Sequence, residues 1–187
     1  MGARFRRSRR GPITVTFDEV ETSILDTLLS QLLDLLDAED RPLARAAADA
    51  GDDELQRLLS IGTATEPPAD PALARLFPNG YRDDREAAAE FRRYTEPDLR
   101  EGKRVAARTA RATLRTPGVA VKLDDEQARC WLTALNDLRL AIGTRLEVTE
   151  DYDELYASMP PDDPRRPSLD VYMWLGHLQE TLVRALW

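Results

Sequence analysis

Ile13, Val15 and Phe17 alternate with Thr14 and Thr16, the period of two that turns one side of a short strand toward a core. Asp18 follows, and then Ile24, Leu25, Leu28, Leu29, Leu32, Leu33, Leu35 and Leu36 return mostly at intervals of three and four. This spacing predicts a helix to about Asp37 whose leucine side must be buried. Glu21, three residues after Asp18, gives the spacing of a capping box. The arrangement recurs. Residues 118–123 again alternate, and Val121, Leu123 and Asp124 stand as Val15, Phe17 and Asp18 do. Asp124 opens a second helix, to about Gly143. Two strand-then-helix units whose strands pair into one small sheet are one reading; a chance likeness between capped helices is the other.

The remaining pattern is helical and punctuated by proline and glycine. Short helices are predicted over 43–50 and 52–60, around Gly51, then a Pro-rich loop over 63–71 and a turn of helix over 71–77 ended by Pro78-Asn79-Gly80. A helix starts at Asp83/Asp84 and runs to Thr95. Pro97 suits the first position of another, capped by Thr95 or Glu96 and running through Leu114. A short helix around Tyr152 and Tyr156, a proline loop over 160–167 and a helix from a Ser168 cap to Trp187 complete the chain. That last helix is apolar over most of its circumference, with His177, Glu180, Thr181 and Arg184 as a polar strip. It suits a bundle centre or a homodimer interface, with Trp187 docked. The fold class is mainly α: a basic N-terminal arm over 1–10, then a single helical-bundle-like domain over 11–187 with a small β element near 3–17 and 118–123.

Composition sharpens this picture. Among 187 residues, 42% are apolar, enough for a core, and the net charge is −8. That balance argues against broad wrapping of nucleic acid. The charge is uneven. Arg4, Arg6, Arg7, Arg9 and Arg10 crowd the start; removing them from the 26 bases leaves 21 against 34 acids, a net −13 for the rest. Lysine occurs only at 103 and 122, an arginine bias that a GC-rich coding sequence produces. One cysteine and one histidine exclude a disulfide framework within the chain and a Cys/His zinc site. No run approaches the ~18 apolar residues of a membrane span. The basic start is followed by no apolar signal region, so a cytoplasmic protein with a reduced thiol is expected.

Catalytic chemistry is not indicated. His177 falls on a polar strip, phosphate-loop and HExxH patterns are missing, and Asp52-Asp53-Glu54 and Asp162-Asp163 read as helix starts and loops. No catalytic residue, cofactor or metal is expected. Binding is better supported. Arg100, Arg104, Arg108, Arg111 and Arg115 recur at four, four, three and four residues, which on a helix confines them to about 80° of arc. Such a stripe can meet phosphates or an acidic protein face; its bland alternative is pairing with the chain's own acidic first helix. With the segment holding Arg82, Arg92 and Arg93, it forms the candidate contact face. DNA is a secondary candidate. Cys130 projects to the flank of its helix, and a redox role would need a reactive, accessible thiol. Arg139 falls within the apolar stripe of the same helix, so a structural ion pair with a carboxylate is expected, or else an interface role.

The string from Ala134 to Leu146 (ALNDLRLAIGTRL) resembles the signature of an actinobacterial family once catalogued as a domain of unknown function and now named AosR, for actinomycete oxidative stress regulator. Arg75-Leu76-Phe77-Pro78, Tyr81-Arg82-Asp83-Asp84, Glu90-Phe91-Arg92-Arg93 and residues 174–180 (WLGHLQE) extend the resemblance over about 70–180. It implies a cytoplasmic, non-enzymatic, transcription-linked regulator acting through a sigma factor or RNA polymerase. A paired-cysteine redox mechanism is attached to that family. Here Ala134 stands four residues after Cys130 and there is no second cysteine.

Overall fold

The computed structural model describes residues 2–8, 11–38, 66–81, 83–114 and 116–187. In chain order they form β1 (Arg6–Arg7), β2 (Ile13–Val15), α1 (Glu19–Asp37), α2 (Pro71–Leu76), α3 (Arg85–Thr113), β3 (Val121–Leu123), α4 (Asp125–Arg145), α5 (Tyr152–Ser158) and α6 (Arg166–Leu186). The fold is mainly α, as the periodicity predicts. The helices predicted over 43–50 and 52–60 lie outside the described residues.

The two strand-then-helix units do pair. β2 lies between β1 and β3, antiparallel to both, with Ile13, Thr14 and Val15 opposite Leu123, Lys122 and Val121. The pairing extends where Gly118 N–H donates to the Phe17 carbonyl (2.8 Å). Both aspartates make reciprocal caps. Asp18 accepts from Glu21 N–H (2.8 Å) and donates its own N–H to the Glu21 carboxylate (3.0 Å). Asp124 and Gln127 repeat the exchange at 2.8 and 3.2 Å. Each cap satisfies donors that a helix start leaves open. Leu25, Leu29, Leu32 and Leu36 of α1 then enter the core with Trp131, Leu135 and Leu138 of α4 and Leu175, Leu178 and Leu182 of α6.

The described part of the basic arm over 1–10 joins the sheet as β1, within the β element expected near 3–17, and three other expectations need correction. Phe5 is buried against Phe17 and Trp131, and its N–H donates to Thr181 Oγ1 of α6 (3.2 Å). One buried aromatic outweighs the solvation preference of its arginine neighbours. The two helices expected on either side of Pro97 are a single 29-residue helix, α3, for reasons given below. α6 begins at Arg166 rather than after a Ser168 cap; Pro167, in its first turn, needs no N–H acceptor there. Trp187 is 89% exposed rather than docked, because α6 meets the core through Leu169, Leu175, Leu178, Leu182 and Ala185 on the opposite side. Among the described residues no helix is long and apolar enough to cross a membrane.

Phe5→Ala is expected to lower stability by about 3–5 kcal/mol, the range for emptying a buried aromatic site. Urea unfolding checks this; an unchanged midpoint would show that the N-terminal strand is not part of the cooperative fold.

Candidate functional site

The arginine stripe of α3 divides between interior and surface. Glu96, buried, lies one turn from each of two buried arginines. One of its oxygens meets Arg92 Nη1, and the other meets Arg100 Nη2 at 2.5 Å. The remaining donors are also used. Arg92 Nη2 donates to the Phe77 carbonyl (3.0 Å) and Asn79 Oδ1 (2.8 Å), while Arg100 Nη1 donates to the Leu36 carbonyl (2.9 Å). The Arg100 guanidinium lies 4.5 Å from the centre of the Phe77 ring, in cation–π geometry. Residues 92, 96 and 100 share one helical face. Their contacts hold the turns on both sides of Pro97 in one helix, even though proline removes an N–H and crowds the preceding turn.

Farther along, the stripe meets α1. Arg104 pairs with Asp37 (2.7 Å) and donates to the Leu36 carbonyl (3.2 Å); Arg111 pairs with Asp26 (2.7 Å). α1 has no basic residue in its own last turn, so Arg100 and Arg104 supply the positive charge its C-terminal carbonyls favour. Arg108 is exposed and reaches Glu101 at 3.4 Å. The expectation of one continuous guanidinium surface is therefore corrected: Arg92 and Arg100 face inward, Arg104 and Arg111 bind α1, and Arg93 and Arg108 remain outside. Arg82 and Arg115 lie outside the described residues.

What α3 presents at its N-terminal end is aromatic. Tyr81, Phe91 and Tyr94 are 51%, 46% and 68% exposed. Tyr81 meets Phe91 edge to face with centroids 5.9 Å apart, and the Arg93 guanidinium lies 6.0 Å from the Tyr94 ring centre. Gly80 permits the packing, since a Cβ there would stand 2.7 Å from Phe91. Sequence reading chose this segment for its arginines and missed the rings. The signal was the three-residue step from Phe91 to Tyr94 after a Pro-Asn-Gly turn.

The other candidates are dispersed. His177 is exposed and borders an open groove of about 740 Å³ with Arg4, Arg6, Asp18 and Glu21. Both carboxylates there are engaged in the α1 cap, Glu21 also accepting from Ala3 N–H (2.8 Å). Cys130 is half-buried on α4. Arg139 is not the expected ion pair. Among the described residues it meets no carboxylate; it donates to Gln179 Oε1 (2.6 Å) and lies 5.2 Å from the Tyr172 ring centre. The apolar seam between α4 and α6 puts a neutral amide and a ring, not an acid, opposite this position.

The model of a domain of unknown function, DUF2017, matches residues 1–186. The oxidative stress regulators AosR of Mycobacterium tuberculosis (strain H37Rv) and Mycobacterium bovis are each 34% identical over 180 residues, covering 89% of this chain and 78% of theirs. The putative oxidative stress regulator AosR of Mycobacterium leprae is 34% identical over 182 residues, with the same coverage. The chain belongs to the DUF2017 family, which includes AosR. No solved structure matches it significantly.

In this DUF2017 chain the buried charges continue behind the stripe. Lys103 Nζ pairs with Asp137 Oδ1 at 2.7 Å, joining α3 to α4, and Asp137 Oδ2 has no hydrogen-bond partner among the described residues. Burial, the largest influence, pushes the Asp137 carboxyl above its ordinary 3.8 against the opposing pull of Lys103 and Asn136. Asp163 is the opposite case: hydrogen bonds from the Arg165 side chain and backbone hold it at about 2. The stability consequences differ in sign. A raised carboxyl favours the fold at low pH, and this contribution is lost as pH climbs from 3.8 through its folded value. A depressed one contributes above 3.8, and that contribution is lost as pH falls through about 2. Carbon-13 NMR titration should find Asp137 titrating above the ordinary carboxylate range and Asp163 near 2; matching midpoints would refute both environments.

Glu96→Gln should cost about 3–5 kcal/mol, because it removes the buried carboxylate that both Arg92 and Arg100 meet. Glu101→Gln, at an exposed pair, should cost under ~1 kcal/mol. Chemical denaturation of the two variants checks the contrast.

Proposed function

We propose that this chain is a transcription-linked regulator of the oxidative stress response that acts by binding another protein, a sigma factor or RNA polymerase, rather than by catalysis. The regulatory role comes from its AosR relatives. Its contact face is the exposed end of α3: Tyr81, Phe91 and Tyr94, flanked by Arg93. The observation that carries this reading is three neighbouring aromatic rings held about half or more in solvent, Phe91 at 46%, beside an unburied arginine. Tyrosine and arginine supply most strong anchors at protein interfaces, whereas aromatic rings gain nothing by staying in water.

The competing DNA reading drew on the arginine stripe and is weaker with Arg92, Arg100, Arg104 and Arg111 engaged internally. Within these 187 residues one cysteine cannot form an intramolecular disulfide. Redox control through Cys130 would therefore take a bond to another chain or another oxidation of the thiol.

Affinity capture from native cytoplasm, with and without peroxide, tests the proposal by probing for RNA polymerase and sigma factors. A Phe91→Ala/Tyr94→Ala variant should retain its circular dichroism and lose capture by roughly 30-fold, the loss expected for a ~2 kcal/mol anchor. Arg108→Ala should bind normally. Recovery of neither partner, or equal recovery by the aromatic variant, would overturn the proposed partner or face respectively.

A further inference from the structure

Arg139, like Arg166, is a partly buried arginine that pairs with no carboxylate among the described residues; Arg166 instead donates to the Met159 carbonyl (3.0 Å) at the start of α6. Lys103 and Arg104 each reach a carboxylate at 2.7 Å, while Arg139, among the described residues, reaches none. Its guanidinium rests in the seam between α4 and α6, along the bare backbone of Gly176, whose Cβ position would be 3.4 Å from Nε. On the other side Tyr172 comes close to α4 because Gly143 has no side chain; a Cβ there would be 3.2 Å from the ring. Tyr152 packs edge to face on Tyr172 and steadies this wall.

The direction of each hydrogen bond shows what is missing. Arg139 Nη1 donates to Gln179 Oε1 (2.6 Å), and Nη2 donates to the Tyr172 hydroxyl at a long 3.5 Å. Gln179 in turn donates to Asn136 Oδ1 (3.3 Å). Each acceptor in the chain of contacts already receives a hydrogen bond from within. Donors are left over among the described residues: the second proton on each terminal nitrogen of Arg139 and the Tyr172 hydroxyl proton. Nε is sealed from solvent and, among the described residues, has no hydrogen-bond partner. Nε being closed off, the terminal edge of the guanidinium is left for a ligand, and that edge matches the two oxygens of a carboxylate.

The geometry points to Arg139 and Tyr172 as a receptor for an aspartate or glutamate side chain of a partner protein, docking across the α4–α6 seam. A carboxylate fits because it is acceptor-only and supplies the counter-charge that Arg139 lacks. The inference deepens the protein-binding reading above and adds a second contact, on different helices from the aromatic face.

The test uses the whole chain and a short peptide with blocked ends carrying adjacent glutamates, against the same peptide with glutamines. Nitrogen-15 NMR follows the Gly176 backbone amide and the Gln179 side-chain amide. The glutamate peptide should shift both signals saturably, and the glutamine peptide should not. Arg139→Gln should abolish the shifts, Arg139→Lys should weaken binding by losing the planar fork, and Tyr172→Phe should weaken it several-fold with the positive charge intact. Circular dichroism confirms that each variant folds, and Tyr172→Phe serves if Arg139→Gln does not. No shift with the glutamate peptide, or shifts of equal size with the glutamine peptide or in Arg139→Gln, overturns the inference. The titration needs no knowledge of the transcription partner, so its failure leaves the capture experiment standing, and failure of capture leaves the carboxylate site standing.

Discussion

A single buried carboxylate, Glu96, holds two guanidiniums one turn before and one turn after it, and the shape of the molecule around α3 depends on that arrangement. Arg92 carries the connection to the Phe77 carbonyl at the end of α2, and Arg100 carries it to the Leu36 carbonyl at the end of α1. Three helices are thereby joined at one point by polar contacts beside the apolar core that holds Leu36 and Phe77. Buried ions are costly to desolvate, and this cluster is tolerable because each charge meets an opposite one and the donors reach carbonyls. Its effect is positional: it sets where α1 ends against α3 and keeps α3 continuous through Pro97.

This internal use of arginine decides what α3 offers to the outside. Arg104 and Arg111 offset the acids of α1, so the negative helix and the positive helix cover one another. The net charge of −8 thus conceals an interior neutralisation between elements distant in sequence. With those cations engaged, fewer arginines of α3 face outward, and in the proposed contact the anchors are exposed rings rather than a field of positive charge. Arg139 makes the same point in reverse. Among the described residues its charge meets no carboxylate, in a seam shaped by two glycines.

Much of the fold was legible because its signals are local. A capping box, an alternating strand or a leucine repeat is complete within a dozen residues, and each reads the same in any surroundings. Asp18, Asp124 and the α1 leucines behave accordingly. The site was less legible. Helical spacing placed Arg100, Arg104, Arg108 and Arg111 along one stretch of surface, but spacing carries no information about which neighbour covers that surface. Pro97 read as a helix start for the same reason, since the contacts that keep the helix whole come from Phe77 and Leu36.

The sequence by itself determined the helices with strong caps, the pairing-competent strands, the mainly α class and the limits that one cysteine and one histidine place on chemistry. Tertiary structure alone decided which arginines became interior ties, that Phe5 draws the basic start into the sheet, that Trp187 stays in water, and that Arg139 meets an amide in place of an acid. The division follows from range. Capping and periodicity are set by neighbours a turn or less away, whereas the fate of a charge or a ring depends on what the rest of the chain brings against it.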